Sequence, residues 1–125
     1  MSDRITVQAY SRLLNAVMLD TVKTLQTCPA AIRRNARKLL VAEPISYALH
    51  AQDWIMAATL HRYRLLSAVN FLESSFFDTV CTALGLGPRE VYQRLHDKYA
   101  ASAAEALEML DKAEADYLIF KAENY

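Results

Sequence analysis

The chain has 125 residues, with only two glycines, three prolines and a hydrophobic fraction of 54%. That length suits one domain with a real core, and the scarcity of turn-forming residues favours long helices over a sheet-rich fold. Formal charge is zero, 14 cations against 14 acids, which excludes a global field pulling the protein onto nucleic acid or an anionic membrane but leaves room for a local basic patch.

The opening segment MSDRITVQAY carries Asp3, Arg4 and Gln8 and lacks the apolar core of a signal peptide. No apolar run approaches the roughly 20 residues that span a bilayer. A soluble cytoplasmic protein with no membrane partner is expected. The first helix is predicted from about Thr6 to Gln26, where Tyr10, Leu13, Leu14, Val17, Met18, Val22 and Leu25 recur at spacings of three and four. Pro29 suits the first turn of a second helix, with Thr27 or Cys28 as its cap. That helix, PAAIRRNARKLL, turns Ile32, Ala36, Leu39 and Leu40 inward and leaves Arg33, Arg34, Arg37 and Lys38 in solvent.

Pro44 breaks the second helix and opens a third. Ile45 to Glu73 contains neither glycine nor proline. One long helix, or two joined by a bend near His61 to Ser67, is expected there, burying Trp54, Ile55, Ala58, Leu65, Leu66, Val69 and Leu72. Ser75 and Asp78 resemble a capping box for a short helix, Phe76 to Leu84, which stops at Gly85. Pro88 opens a helix reaching at least Tyr99. Ser102 and Glu105 repeat the capping pattern ahead of a last helix over about 103–122, although AASAAEA equally carries one helix straight through. The expectation is all-α: a compact bundle of six or seven helices in one domain. Cys28 and Cys81 lie in apolar helical contexts without CxxC spacing and read as reduced core residues, a disulfide being the other reading.

A helix-turn-helix requires a small residue where its helices cross, a glycine that accepts positive φ, and an apolar residue locking the second helix onto the first. Cys81, Gly85 and Val91 supply these, framed by Val80, Leu84 and Leu86. Phe77 to His96, including the pair Arg94–Leu95, resembles the helix-turn-helix of bacterial regulators in the variant found in the fourth region of sigma factors. The resemblance implies a unit over 76–99 in which Arg89, Glu90, Gln93, Arg94, Asp97 and Lys98 face the major groove or its phosphates. The wider stretch NFLESSFFDTVCTALGLGPREVYQRL also resembles uncharacterised small phage and prophage proteins, a likeness that assigns no activity. The second helix departs from a strong DNA reader: Arg89, Arg94 and Lys98 stand against Glu90 and Asp97, whereas readers gain most non-specific affinity from nearby lysine and arginine.

The neutral total hides an asymmetry. Between Ala30 and Leu66 lie Arg33, Arg34, Arg37, Lys38, Arg62 and Arg64 against Glu43 and Asp53; from Tyr99 onward six acids face Lys112 and Lys121. Three readings follow: the two regions pair within the monomer or are solvated, RRNARK meets phosphates beside the turn, or the acidic helix meets a basic protein partner or its own twin. In the last helix Ala106, Leu110, Ala113, Tyr117 and Phe120 form one stripe. It packs on the N-terminal helix as core, or it projects and dimerises through Tyr117, Phe120 and Tyr125.

Catalytic patterns are absent: no GxSxG, HExxH, P-loop or GxGxxG occurs. His50 and His61 return to nearly one azimuth but stand roughly 16 Å apart along an unbroken helix, too far to share a metal. Neither catalysis, cofactor nor metal is expected. The leading function is a phage or mobile-element helix-turn-helix regulator or accessory factor, binding double-stranded DNA through Arg33, Arg34, Arg37, Lys38, Arg89, Gln93, Arg94 and Lys98. The alternative is an inhibitor or adaptor, anti-CRISPR-like in size and helical character, that binds a host protein or defence complex, the turn being architectural.

Overall fold

A computed structural model describes residues 2–125, and side chains from residue 6 onward. It is all-helical, with no strand among the described residues. Its four helices are α1 (Ser2–Val41), α2 (Pro44–Leu72), α3 (Ser75–Ala83) and α4 (Pro88–Asn124), where the sequence suggested six or seven. None of these helices is long and apolar enough to cross a membrane.

The three long helices share one seven-residue rhythm. In α1 the buried positions Leu14, Met18, Thr21, Leu25, Cys28, Ile32, Asn35 and Leu39 alternate steps of four and three. In α4, Tyr99, Ala103, Ala106, Leu110, Ala113 and Tyr117 do the same, and α2 places Ala51, Ala58, Leu65 and Leu72 seven apart. A 3–4 alternation keeps one stripe facing a neighbour along the whole helix, as in left-handed bundles. The many alanines let the backbones approach closely.

A two-residue link, Ala42 and Glu43, folds α2 back antiparallel on α1. Contacts between α1 and α4 rise together in number, from Arg33 beside Ser102 to Ala36 and Leu39 packed with Ala113 and Tyr117. The fourth helix therefore runs parallel to α1.

Pro29 lies inside α1 and does not end it. An interior proline loses a backbone hydrogen bond, here to the Leu25 carbonyl, and costs about 3 kcal/mol. Leu25, Cys28, Pro29 and Ile32 are all buried, and burying one large aliphatic side chain contributes about 1.5–3 kcal/mol. An unbroken α1 keeps these residues in phase with the stripe on either side. The expected bend at His61 to Ser67 and the break at AASAAEA are likewise absent: α2 and α4 run through them. Glu105 and the acids after it, expected on a separate helix over 103–122, form the second half of α4.

Burial corrects several side chains. Tyr10 and Leu13 continue the expected stripe of α1 but are exposed, because Leu14 is the first buried residue of that stripe; Leu40 and Leu66 also face outward. The cap of α3 is Ser74, one residue before the expected Ser75: its Oγ accepts the Phe77 N–H at 3.2 Å and donates to the Phe71 carbonyl at 2.6 Å. Phe71 makes edge contacts with Phe76 and Phe77, fixing α3 against the end of α2.

Candidate nucleic-acid interface

The core stripe of α1 determines which way its cations point. Ile32, Asn35, Ala36 and Leu39 are buried, so Arg34, Arg37 and Lys38 are left exposed and Arg33 half-buried. Together with Ala30 and Val41 these four cations line a shallow hollow of about 530 Å³. Arg33 is anchored: its Nη1 donates to the Ser102 Oγ at 2.7 Å and to the Ser102 carbonyl at 3.2 Å. None of the four is ion-paired with a carboxylate among the described residues.

Two of the acids of α4 are engaged elsewhere. Arg62 of α2 reaches Glu114 at 2.9 Å and Asp111 at 3.7 Å. Asp111 is largely exposed and Arg62 mostly covered, so this bridge tacks α2 to α4 without masking the α1 cations.

The turn between α3 and α4 has well-defined hydrogen bonding. Leu86 N–H donates to the Cys81 carbonyl at 2.8 Å, Gly85 N–H donates to the Thr82 carbonyl at 3.1 Å, and Gly85 has φ +74°. This double closure is the Schellman arrangement, which requires one left-handed residue. Gly87 and Pro88 then start α4. Cys81 and Val80 are fully buried, and Val91 and Leu95 pack against the core cluster to which they belong.

Arg89, Gln93, Arg94 and Lys98 are all exposed, but they do not share one face. Arg94, Lys98 and Ser102 follow at four-residue steps and form one row, which leads into Arg33 over roughly 12 Å. Arg89 lies five residues before Arg94, about 140° away around the helix, and Gln93 goes with it. Gln93 is also occupied, its Nε2 donating to the Asp97 Oδ1 at 2.7 Å. Arg94 and Lys98 therefore share the row that reaches Arg33 through Ser102, and Arg89 with Gln93 lie on another side of α4.

A second feature lies in the groove between α1 and α2, a volume of about 870 Å³ bordered by Asp20, Lys23, Thr24, Arg64 and Ser67. At its floor the Cys28 Sγ is 3.8 Å from the His61 Nδ1. Burial pushes the Cys28 thiol up and pushes His61 down, and Arg64 and Arg34 lower His61 further. Both groups are thereby held neutral, which is the reverse of an activated thiolate–imidazolium pair. No group of three or more His, Cys, Asp or Glu side chains is placed to hold a metal among the described residues. His50 instead lies beside Trp54, the rings tilted with centroids 5.5 Å apart. The Cys28–His61 contact was hidden at the level of sequence, because a break at Pro29 removes the register that brings α1 and α2 together there.

At the far end of α4, Tyr117 is only 8% exposed and belongs to the core with Tyr47, which corrects its assignment as a partner contact. Phe120 is half-buried against the Tyr47 ring at 4.9 Å, and Tyr125 alone of the expected trio is open, at 84%. Comparison with known proteins finds no matching family model, no similar curated protein and no similar solved structure.

Proposed function

We propose that the protein is a non-enzymatic binder of double-stranded DNA, a small regulator or accessory factor. It grips phosphates along the outer side of α1 and the adjoining row of α4. The observation carrying this reading is that Arg34, Arg37 and Lys38 stand exposed and, among the described residues, free of carboxylate partners, while the acids of α4 that pair at all with α2 do so with Arg62. Desolvated or paired cations have little to offer a polyanion; solvated ones release counterions when they meet it. Arg94 and Lys98 extend the contact, Arg33 positions the two helices, and the α3–α4 turn fixes the height at which α4 begins. In this reading the sigma-like segment contributes Arg94 and Lys98 to a phosphate surface, with Arg89 and Gln93 on a separate edge.

Fluorescence anisotropy with a generic duplex tests it. Binding is expected at low salt and should weaken steeply as salt rises. The exposed double variant Arg34→Glu/Arg37→Glu should lose it, with the logarithmic salt slope smaller by about 2, one for each cation removed. Affinity unchanged in that variant, or insensitive to salt, overturns the proposal.

A protein-binding adaptor acting on a host protein or defence complex is the second reading. It is favoured by Leu118, Ile119 and Tyr125, an exposed apolar end of α4 interleaved with Asp116 and Glu123.

A further inference from the structure

The second helix carries more apolar surface than its place in the bundle uses. Opposite the buried line of Ala51, Ala58, Leu65 and Leu72 runs another: Ile45, Leu49, Met56, Tyr63 and Leu66, with Leu60 beside it. These six side chains are between 43% and 78% exposed. Their steps of four, seven, seven and three belong to the same heptad grid as the core, so they form a continuous outer seam over roughly 32 Å of helix. A helix that is apolar on both sides is normally buried on both.

We infer that two copies of the chain pair through this outer seam of α2, antiparallel, with the two-fold axis at Met56. Four observations select a second copy as the occupant. First, the pattern is nearly palindromic: Leu49 and Tyr63 stand seven residues either side of Met56, and Ile45 and Leu66 eleven and ten, so reversing the helix sets large side chains against large ones. This is what an isologous interface needs. Second, the central line of the seam, Leu49, Met56 and Tyr63, holds no charge, and Asp53 stands at its edge on the line that also carries Leu60. Third, Asp53 and Arg64 lie on one flank of it. A two-fold axis brings like flanks together, setting Asp53 of each copy within roughly 8 Å, along the helix axes, of the other's Arg64, inside the reach of an arginine.

The fourth observation is area. The six residues present roughly 800 Å², what each partner contributes to an interface of standard size. The whole chain exposes 8596 Å², whereas a folded monomer of 14.1 kDa exposes roughly 6,700 Å².

Sedimentation equilibrium on the full chain tests the inference without DNA. The wild type is expected to dimerise, and Met56→Lys to weaken the dimer by roughly 100-fold, with unchanged far-UV circular dichroism because Met56 faces solvent in the monomer. Orientation is read by oxidative cross-linking. A Leu49→Cys/Tyr63→Cys protein should form disulfide-linked dimers, and Leu49→Cys alone should not. A wild-type chain that stays monomeric, a dimer that survives Met56→Lys, or efficient cross-linking of Leu49→Cys alone each overturns the proposal. None of these outcomes depends on whether the α1 cations bind DNA.

Discussion

His61 illustrates how a single side chain takes its chemistry from what is packed around it. Cys28 faces it from α1, Arg34 bears on it from the same helix, and Arg64 stands one turn along α2. Burial first, and then the two guanidinium groups, hold its imidazole below the ordinary 6.5. In the unfolded chain the same imidazole takes up a proton as pH falls through 6.5, while the folded one resists until a lower pH. Protons then bind more to the unfolded state, so stability is lost as pH drops across that window and is untouched above it. Denaturant titrations between about pH 7.5 and pH 5, a window that brackets the ordinary imidazole midpoint, should show the decline, and His61→Gln should flatten its His61-dependent part. A slope unchanged in the variant would assign the effect to other groups. The histidine was legible in the sequence only as a residue on α2; its neighbour Cys28 lies 33 positions away, and local spacing carries no information at that separation.

At the scale of elements, α3 shows what local chemistry does determine. A serine at one end and a glycine at the other bound a nine-residue helix, and both signals were readable, the serine displaced by one. Gly85 has φ +74° and open space where a Cβ would go. Gly85→Ala therefore meets no clash and bears only the backbone cost of the left-handed region, roughly 1 kcal/mol. Thermal unfolding should register that loss, and a variant as stable as the wild type would mean that the turn can re-form without its left-handed residue. The long helices were less legible. Pro29 reads locally as a start, and Ser102 with Glu105 as a cap, yet both lie within unbroken helices. Here packing decided. The steps of four and three through Leu25, Cys28 and Ile32, and through Tyr99, Ala103 and Ala106, keep their phase across each breaker. That phase was present in the sequence, but it identifies a continuous helix only when weighed against the proline.

At the scale of the whole molecule, charge is sorted by side. The neutral total conceals a cationic outer side on α1 and an acidic second half of α4; among the described residues the ion pairs of that half run to Arg62 of α2 and not to the α1 cations. The sequence offered RRNARK, Arg94 and Lys98 alike for the proposed DNA surface; that Arg94 and Lys98 form a row leading to Arg33 depends on the parallel alignment of α4 with α1, which the sequence does not state. Arg89 and Gln93 were grouped with Arg94 through the resemblance to a sigma-factor helix-turn-helix; the turn of α4 puts them on another side of the helix.

The three long helices lie side by side, and the longest, α1, has 40 residues, about 60 Å from end to end. Such a slender particle drags more solvent than a ball of equal mass. It will leave a sizing column early and tumble slowly even when alone, so a retention time calibrated on spherical standards will overstate its mass. Stoichiometry in this protein has to be weighed, by scattering or in the centrifuge, and not inferred from how fast it diffuses.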